Sequence, residues 1–282
     1  MGCKLPDKFK LLDKNFNELQ IPVGVRAAGI EVSSIARERN TATVEGIPGI
    51  INYGSDFSTR PINLIFTLTT DYDFDFSLMR NELFDLLTYN DSLYLVENAL
   101  PSRMIEIGID ESVLPDKIAL HFYSKIEVSA ETVGLPFWRT KYTSQDIEKD
   151  GYSALVEKYG TADNIHINYV KYTHTANTFS IYNSGNVTID PRNMMLYIQA
   201  RYVKSTGNFT IENLTTGEKF IYKEKLDSNH LTIEGIKVKM GVYNRLRDTN
   251  REFISLVPGE NKIKISNGTF EEIKFDCPFY YK

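Results

Sequence analysis

The feature that most constrains this chain is a period of two in its apolar residues. Toward the end, Ile273, Phe275, Cys277, Phe279 and Tyr281 occupy every second position, and Met194, Leu196, Ile198, Ala200 and Tyr202 do the same earlier. Alternation of this kind turns one face of an extended strand toward a core. The pattern recurs at Ile62, Leu64, Phe66 and Leu68, at Ile105, Ile107 and Ile109, and at Ile118, Leu120 and Phe122. Phe209 and Ile211 are set to pair with Phe220 and Tyr222 across the turn Thr215-Thr216-Gly217. Leu231 and Ile233 precede Gly235, with Ile236, Val238 and Met240 beyond it, while Pro258-Gly259 sets a further turn before Ile263 and Ile265. Short strands at this spacing predict a sandwich in the second half. Residues that favour strands dominate, with 16 Phe and 17 Tyr against one tryptophan, Trp138. The fold class is therefore mainly β.

One helix interrupts the strands. Phe76, Met79, Leu83 and Leu86 or Leu87 recur at three and four, which predicts a helix over 76–89 with Asp75 as its cap and Asn90-Asp91 as its stop. Upstream, Val44-Glu45-Gly46-Ile47-Pro48-Gly49 demands a turn or an irregular loop, and the charged stretch 34–43 before it reads as an exposed arm or an extended hairpin. The strand pattern stops around Val133 to Trp138. We place a domain boundary there, giving an amino-terminal β domain over 1–138 and a carboxy-terminal sandwich over 139–282. The second opens on a polar linker segment, 139–164, in which Ser144 and Gly160 are a candidate cap and stop and Gly151 argues against one continuous helix.

Charge and cysteine content narrow the function. A net charge of −5, from 37 acids and 32 bases, leaves no basic block for nucleic acid, since Arg37, Arg39, Lys4, Lys8, Lys10 and Lys14 are spread among acids and apolar residues. Apolar stretches are only of strand length, so no membrane insertion is expected, and the opening residues carry no signal-peptide core. Cys3 and Cys277 form no disulfide framework. Cys277, in the alternating run, is expected to point inward as a small core residue. The Asn-x-Ser/Thr triplets at Asn90, Asn186, Asn208, Asn213 and Asn267 read as turn residues.

No phosphate-binding loop, dinucleotide fingerprint, nucleophile elbow or zinc-binding helix is present. The histidines His121, His166, His174 and His230 lack metal-ligand spacing, although His166 and His174 could approach one another. Asp71, Asp73, Asp75 and Glu82 approximate a calcium loop. Phe76, however, stands where that loop needs glycine, and carboxylates are favoured at a helix start in any case. Tyr169, Tyr172, Tyr182 and Asn183 are candidates for stacking on a sugar, weighed against filling a core. Paired acids for sugar hydrolysis cannot be read without a fold. The sequence nominates no catalytic, cofactor-binding or metal-ligating residue.

Taken in order, several segments resemble the siphophage distal tail protein family. In the first half they are Val44 to Gly49, Tyr53-Gly54, Arg60 to Phe66 and Leu83-Phe84-Asp85-Leu86-Leu87, followed by Gly134 to Trp138. In the second they are Phe179 to Gly185, Asp190-Pro191, Asn213 to Gly217, Leu256 to Asn261 and the closing β segment. The resemblance implies a ring-forming amino-terminal domain of strands plus a helix, followed by a galectin-like or carbohydrate-module-like sandwich. It implies six copies in a baseplate hub between the tail tube protein and a tail-associated lysin or tail fibre protein. The location would be the virion tail of a phage or prophage, with the chain made in the host cytoplasm, and the role architectural rather than enzymatic, without cofactor. The alternative is a carbohydrate-binding module contacting host-wall polysaccharide. On the ring reading the 34–43 stretch and the Gly/Pro loop after it are the candidate self-contact.

Overall fold

The computed structural model describes residues 6–46, 48–70, 73–119, 123–159 and 163–282, without the side chains of 73–74 and 117–119. Cys3, Ile47, Asp71, Tyr72, Leu120, His121, Phe122 and Gly160 therefore lie outside the described residues, and so does the side chain of Ile118. Two compact units divide the chain, Met1–Trp138 and Arg139–Lys282.

The first unit contains β1 (Phe9–Leu12), β2 (Val25–Val32), β3 (Arg37–Ala42), β4 (Ile51–Phe57), β5 (Pro61–Thr69), α1 (Asp73–Leu87), β6 (Leu93–Glu97), β7 (Arg103–Gly108), β8 (Asp116–Ala119) and β9 (Tyr123–Thr132). Its main sheet runs β1-β6-β7-β9-β5-β2, antiparallel throughout, with β8 added to β9. The ends of this path meet. The Lys8 amide donates to Ala27 O at 2.8 Å on β2, and Lys8 O accepts from the Asn98 amide at the end of β6. The Ala27 amide in turn donates to the Asp7 carboxylate. This contact brings the two ends of the sheet together, as in a barrel, while β8 pairs only with β9 among the described residues. Ile62, Leu64, Phe66 and Leu68 all point inward from β5, as their alternation predicts, and Phe66 meets Phe9 edge to face at 5.2 Å.

Helix α1 supplies Phe76, Leu83 and Leu87 to the same core. It begins at Asp73, not Phe76, so Asp75 lies in its first turn and is not the cap, and it ends at Leu87, not at 89. Carboxylates in a first turn face the free amides and the positive end of the dipole, which accounts for the earlier start. At the other end Thr88 donates both its amide (3.0 Å) and its hydroxyl (2.8 Å) to Phe84 O, which closes the last turn.

The chain continues with β10 (Trp138–Thr140), α2 (Ser144–Tyr159), β11 (Thr173–His174), β12 (Thr178–Asn183), β13 (Tyr197–Ser205), β14 (Phe209–Asn213), β15 (Lys219–Tyr222), β16 (Leu226–Glu234), β17 (Lys237–Met240), β18 (Tyr243–Asn244), a 3-10 turn at Leu246–Asp248, β19 (Gly259–Ser266), β20 (Glu272–Asp276) and β21 (Tyr280–Tyr281). One sheet of the second unit runs β11-β20-β13-β16-β17-β18 and the other β12-β19-β14-β15. Their inner faces meet, as at Phe179 of one sheet and Phe275 of the other, 5.9 Å between rings. The hairpin of Phe209 and Ile211 with Tyr222 and Phe220 has the predicted register.

The alternation fails in two places. Tyr202 is exposed and Val203 buried, because a bulge with Tyr202 in the left-handed region (φ 49°) shifts the phase of β13. The closing run is not one strand. Strand β20 stops at Asp276, where Pro278 offers no amide to a ladder, and pairing resumes at β21, although every alternating residue stays buried.

The described part of the segment 139–164, residues 139–159 and 163–164, is not a linker but part of this unit's body. Tyr142, Ile147 and Leu155 are buried, and Gln145 Nε2 donates to Phe275 O at 2.7 Å. Ser144 does not cap the helix. Its hydroxyl accepts from the Cys277 amide (3.1 Å) and donates to Phe275 O (3.1 Å). Thr143 is the cap, its amide held by the Asp146 carboxylate at 2.8 Å, half of a capping box. Gly151 breaks α2 into two pieces with φ 80° and ψ 161°.

Three buried asparagines, Asn183, Asn261 and Asn213, sit on the neighbouring strands β12, β19 and β14. Asn183 Nδ2 donates to Val187 O and Leu256 O, each at 2.9 Å. Asn213 Nδ2 donates to Ser255 O (2.7 Å) and to the Asn261 side-chain oxygen (3.1 Å). Asn261 Nδ2 donates to Val257 O at 2.7 Å, and its oxygen accepts from the Val257 amide. These amides stand in for backbone partners that the turns leave buried. Gly185 follows the first of them because a side chain there would collide with the Tyr280 backbone, its Cβ coming 2.4 Å from Tyr280 O.

Asn261→Ala should therefore cost about 1–3 kcal/mol, read from urea denaturation, because it orphans buried groups on two turns. Burial pushes the Cys277 thiol up to about 12. Between the ordinary thiol value of 9.0 and about 12, only the unfolded chain loses this proton. The Cys277 contribution to stability is thus complete below pH 9 and fades as pH rises through that window. In a Cys3→Ser background the native protein should resist thiol labelling at pH 8, and labelling should become complete in denaturant.

Candidate functional site

The element of the first unit that stands apart is the hairpin of β3 and β4, which pairs with nothing but itself among the described residues. Its strands run together through Arg37↔Phe57, Glu38↔Asp56, Arg39↔Ser55, Thr41↔Asn52 and Ala42↔Ile51. Between the two strands Gly46 (φ 83°) and Gly49 (φ 101°) take backbone positions that side chains resist. A register shift between Arg39 and Thr41 falls opposite Gly54, whose φ of 117° and amide bond to the Asn52 side chain mark a bulge. All seven residues of β4 are exposed. Ile50 and Tyr53 are 67% and 68% exposed, unusual for large apolar groups so close together.

Cross-strand partners share a face, so the hairpin has two faces of opposite charge. One carries Arg37 and Arg39 with Phe57, over whose ring the Arg37 guanidinium lies at 5.0 Å. The other carries Glu38 and Asp56, which accept from Ser58 Oγ (2.9 Å) and Asn40 Nδ2 (2.8 Å). Phe57 packs edge to face on Phe137 at 5.5 Å and anchors the root of the hairpin.

Of the residues nominated in the second unit, the structure brings Tyr169 and Tyr182 together and buries Tyr172 and Asn183. Tyr172 is buried, its hydroxyl donating to Tyr182 O, and Asn183 belongs to the buried amide network. Tyr169 and Tyr182 stack on each other at 5.4 Å, with His166 against both. His174 stacks on Phe179 at 4.2 Å instead of approaching His166, and burial lowers its pKa. His230 meets Tyr202 at 4.6 Å. Cys277 points inward and is fully enclosed. Asp73 and Asp75 lie in α1 with Glu82. Among the described residues no group of three or more His, Cys, Asp or Glu could hold a metal ion. Sequence reasoning found the 34–43 stretch but missed the division of charge between its faces, which depends on a register that only the partner strand sets.

Against known proteins, residues 11–132 match the family model described as a phage tail protein RIFT-related domain. No curated protein matches the chain. The fold is that of a solved structure, the SPP1 Dit (gp 19.1) protein, described as a paradigm of the hub adsorption apparatus in phages infecting Gram-positive hosts. The TM-score is 0.66 at 11% identity, covering 96% of this chain and 99% of that one. The phage P2 baseplate in its activated conformation also matches, at TM-score 0.41 and 9% identity, over 96% and 97%. The resemblance to distal tail proteins, first drawn from turn motifs, is borne out. The chain thus shares the fold of the SPP1 Dit protein over nearly its whole length, and its residues 11–132 match the phage tail RIFT-related model.

Proposed function

We propose that this chain is a non-catalytic structural subunit of a bacteriophage tail tip, whose amino-terminal domain joins copies of itself into a ring in the virion tail. The observation that carries the proposal is a closed barrel with one self-paired hairpin left outside it. The hairpin pairs only with itself, so its open edges and the exposed Ile50 and Tyr53 offer backbone and apolar surface to a partner copy. The likeness to the SPP1 Dit protein, itself a hub component, supports the same reading. On it, six copies link the tail tube protein to a tail-associated lysin or fibre protein, and the second unit is a galectin-like sandwich. A carbohydrate-binding module is the weaker reading, since Tyr172 and Asn183 are buried and Tyr169 and Tyr182 cover one another.

Replacing residues 37–57 by a two-residue Asn-Gly turn keeps the Ala36–Ser58 backbone bond at the root and removes the whole hairpin. Light scattering should find wild-type rings and a folded monomer for this variant. Wild-type protein that stayed monomeric at every concentration, alone and with the tail tube protein, would remove the proposal.

A further inference from the structure

The barrel carries a groove whose chemistry is opposite to that of one hairpin face. It encloses about 710 Å³ and is lined by the carboxylates Glu31, Asp110, Glu111 and Glu131, with Pro61 and Asn63 between them. No lysine or arginine is among its described lining residues. Asn63 Nδ2 donates to Glu31 at 3.2 Å. Four carboxylates around one groove give it a negative field that favours a cationic partner over an anionic one. Volumes of this order, about 300–1,000 Å³, are those of pockets that hold a bound group.

The complementary group is on the same domain. Arg37 and Arg39 project from one face of the hairpin with Phe57, and no described carboxylate forms an ion pair with either. The opposite face is already provided for, since Glu38 and Asp56 hold their own donors. We infer that the Arg37/Arg39 face of one copy docks in the Glu31/Asp110/Glu111/Glu131 groove of a second copy. This rests on the ring reading above and names its contact.

Hairpin face and groove are two different patches of one domain, so the contact is heterologous, and a heterologous contact makes a closed ring when its rotation closes. Arginine suits the role: its planar fork pairs with carboxylates bidentately, and its weaker hydration lowers the cost of leaving water. Opposite charge on the two patches also selects this register over the face carrying Glu38 and Asp56, which would meet the groove with like charge.

The test is a charge exchange followed by light scattering and negative-stain microscopy, with circular dichroism to establish folding. R37E/R39E and D110K/E111K are each expected to raise the concentration for half-assembly by about tenfold or more. An equimolar mixture of the two should assemble again, because in an alternating ring the reversed hairpin then faces a groove neutralised at positions 110 and 111 and the wild-type hairpin faces a wild-type groove. E38K/D56K, on the other face, should assemble as wild type does, and 0.5 M salt should weaken wild-type rings. Wild-type rings that are indifferent to both reversals, or a mixture that fails to recover, would overturn this contact and leave the ring reading standing. A monomeric wild type would overturn both.

Discussion

The short backbone link between Lys8 and Ala27 decides what the amino-terminal domain can do. Without it the sheet β1-β6-β7-β9-β5-β2 would end in two open edges, each a template for uncontrolled pairing. With it, the sheet is a barrel whose interior is filled by Phe9, Leu64, Phe66 and Leu68 and by the apolar side of α1. Among the described residues the hairpin β3–β4 is then the one element of the domain that pairs only with itself, and it carries the exposed Ile50 and Tyr53. Assembly confined to a single element is compatible with a defined ring, whereas two free sheet edges would favour open-ended association.

The second unit solves a different problem. Its sandwich is made of strands joined by tight turns, and turns buried at the end of a sheet leave amides and carbonyls without partners. Asn183, Asn213 and Asn261 supply them from the strands themselves. Asn213 and Asn261 bond to each other, so the turns after β14 and before β19 are coupled through one contact. On the outer side, Ser144 and Gln145 at the start of α2 hold Phe275 O and the Cys277 amide, tying the helix to the last strands of the chain. These are specific polar contacts in a largely apolar interior, and they fix register where burial of interchangeable Ile, Val and Phe would not.

The motifs that carry the family resemblance gain a physical meaning here. Phe179 to Gly185, Asn213 to Gly217 and Leu256 to Asn261 are distant in sequence, yet they contain the three buried asparagines and Gly185, which the Tyr280 backbone crowds. They record the demands of one buried junction. That is consistent with a fold shared with the SPP1 Dit protein at 11% identity: most positions need only be apolar or polar in phase, while a few amides and one glycine are held by geometry.

The sequence by itself determined the mainly β class, the register of the Phe209–Tyr222 hairpin, the inward face of Ile62 to Leu68 and the burial of Cys277. Alternation is a local property, and any strand that obeys it must turn the same side inward. It also pointed to the charged stretch 34–43. Only the tertiary structure decided that α1 begins at Asp73, that Ser144 bonds to a distant strand instead of capping its own helix, that a bulge turns Tyr202 outward, and that 139–164 belongs to the body of its unit. It alone placed Arg37 and Arg39 on one face of the hairpin and gathered Glu31, Asp110, Glu111 and Glu131 around one groove. The reason is the same in each case: these features depend on partners far away in the chain, and the alternation of a single strand carries no information about which strand lies beside it.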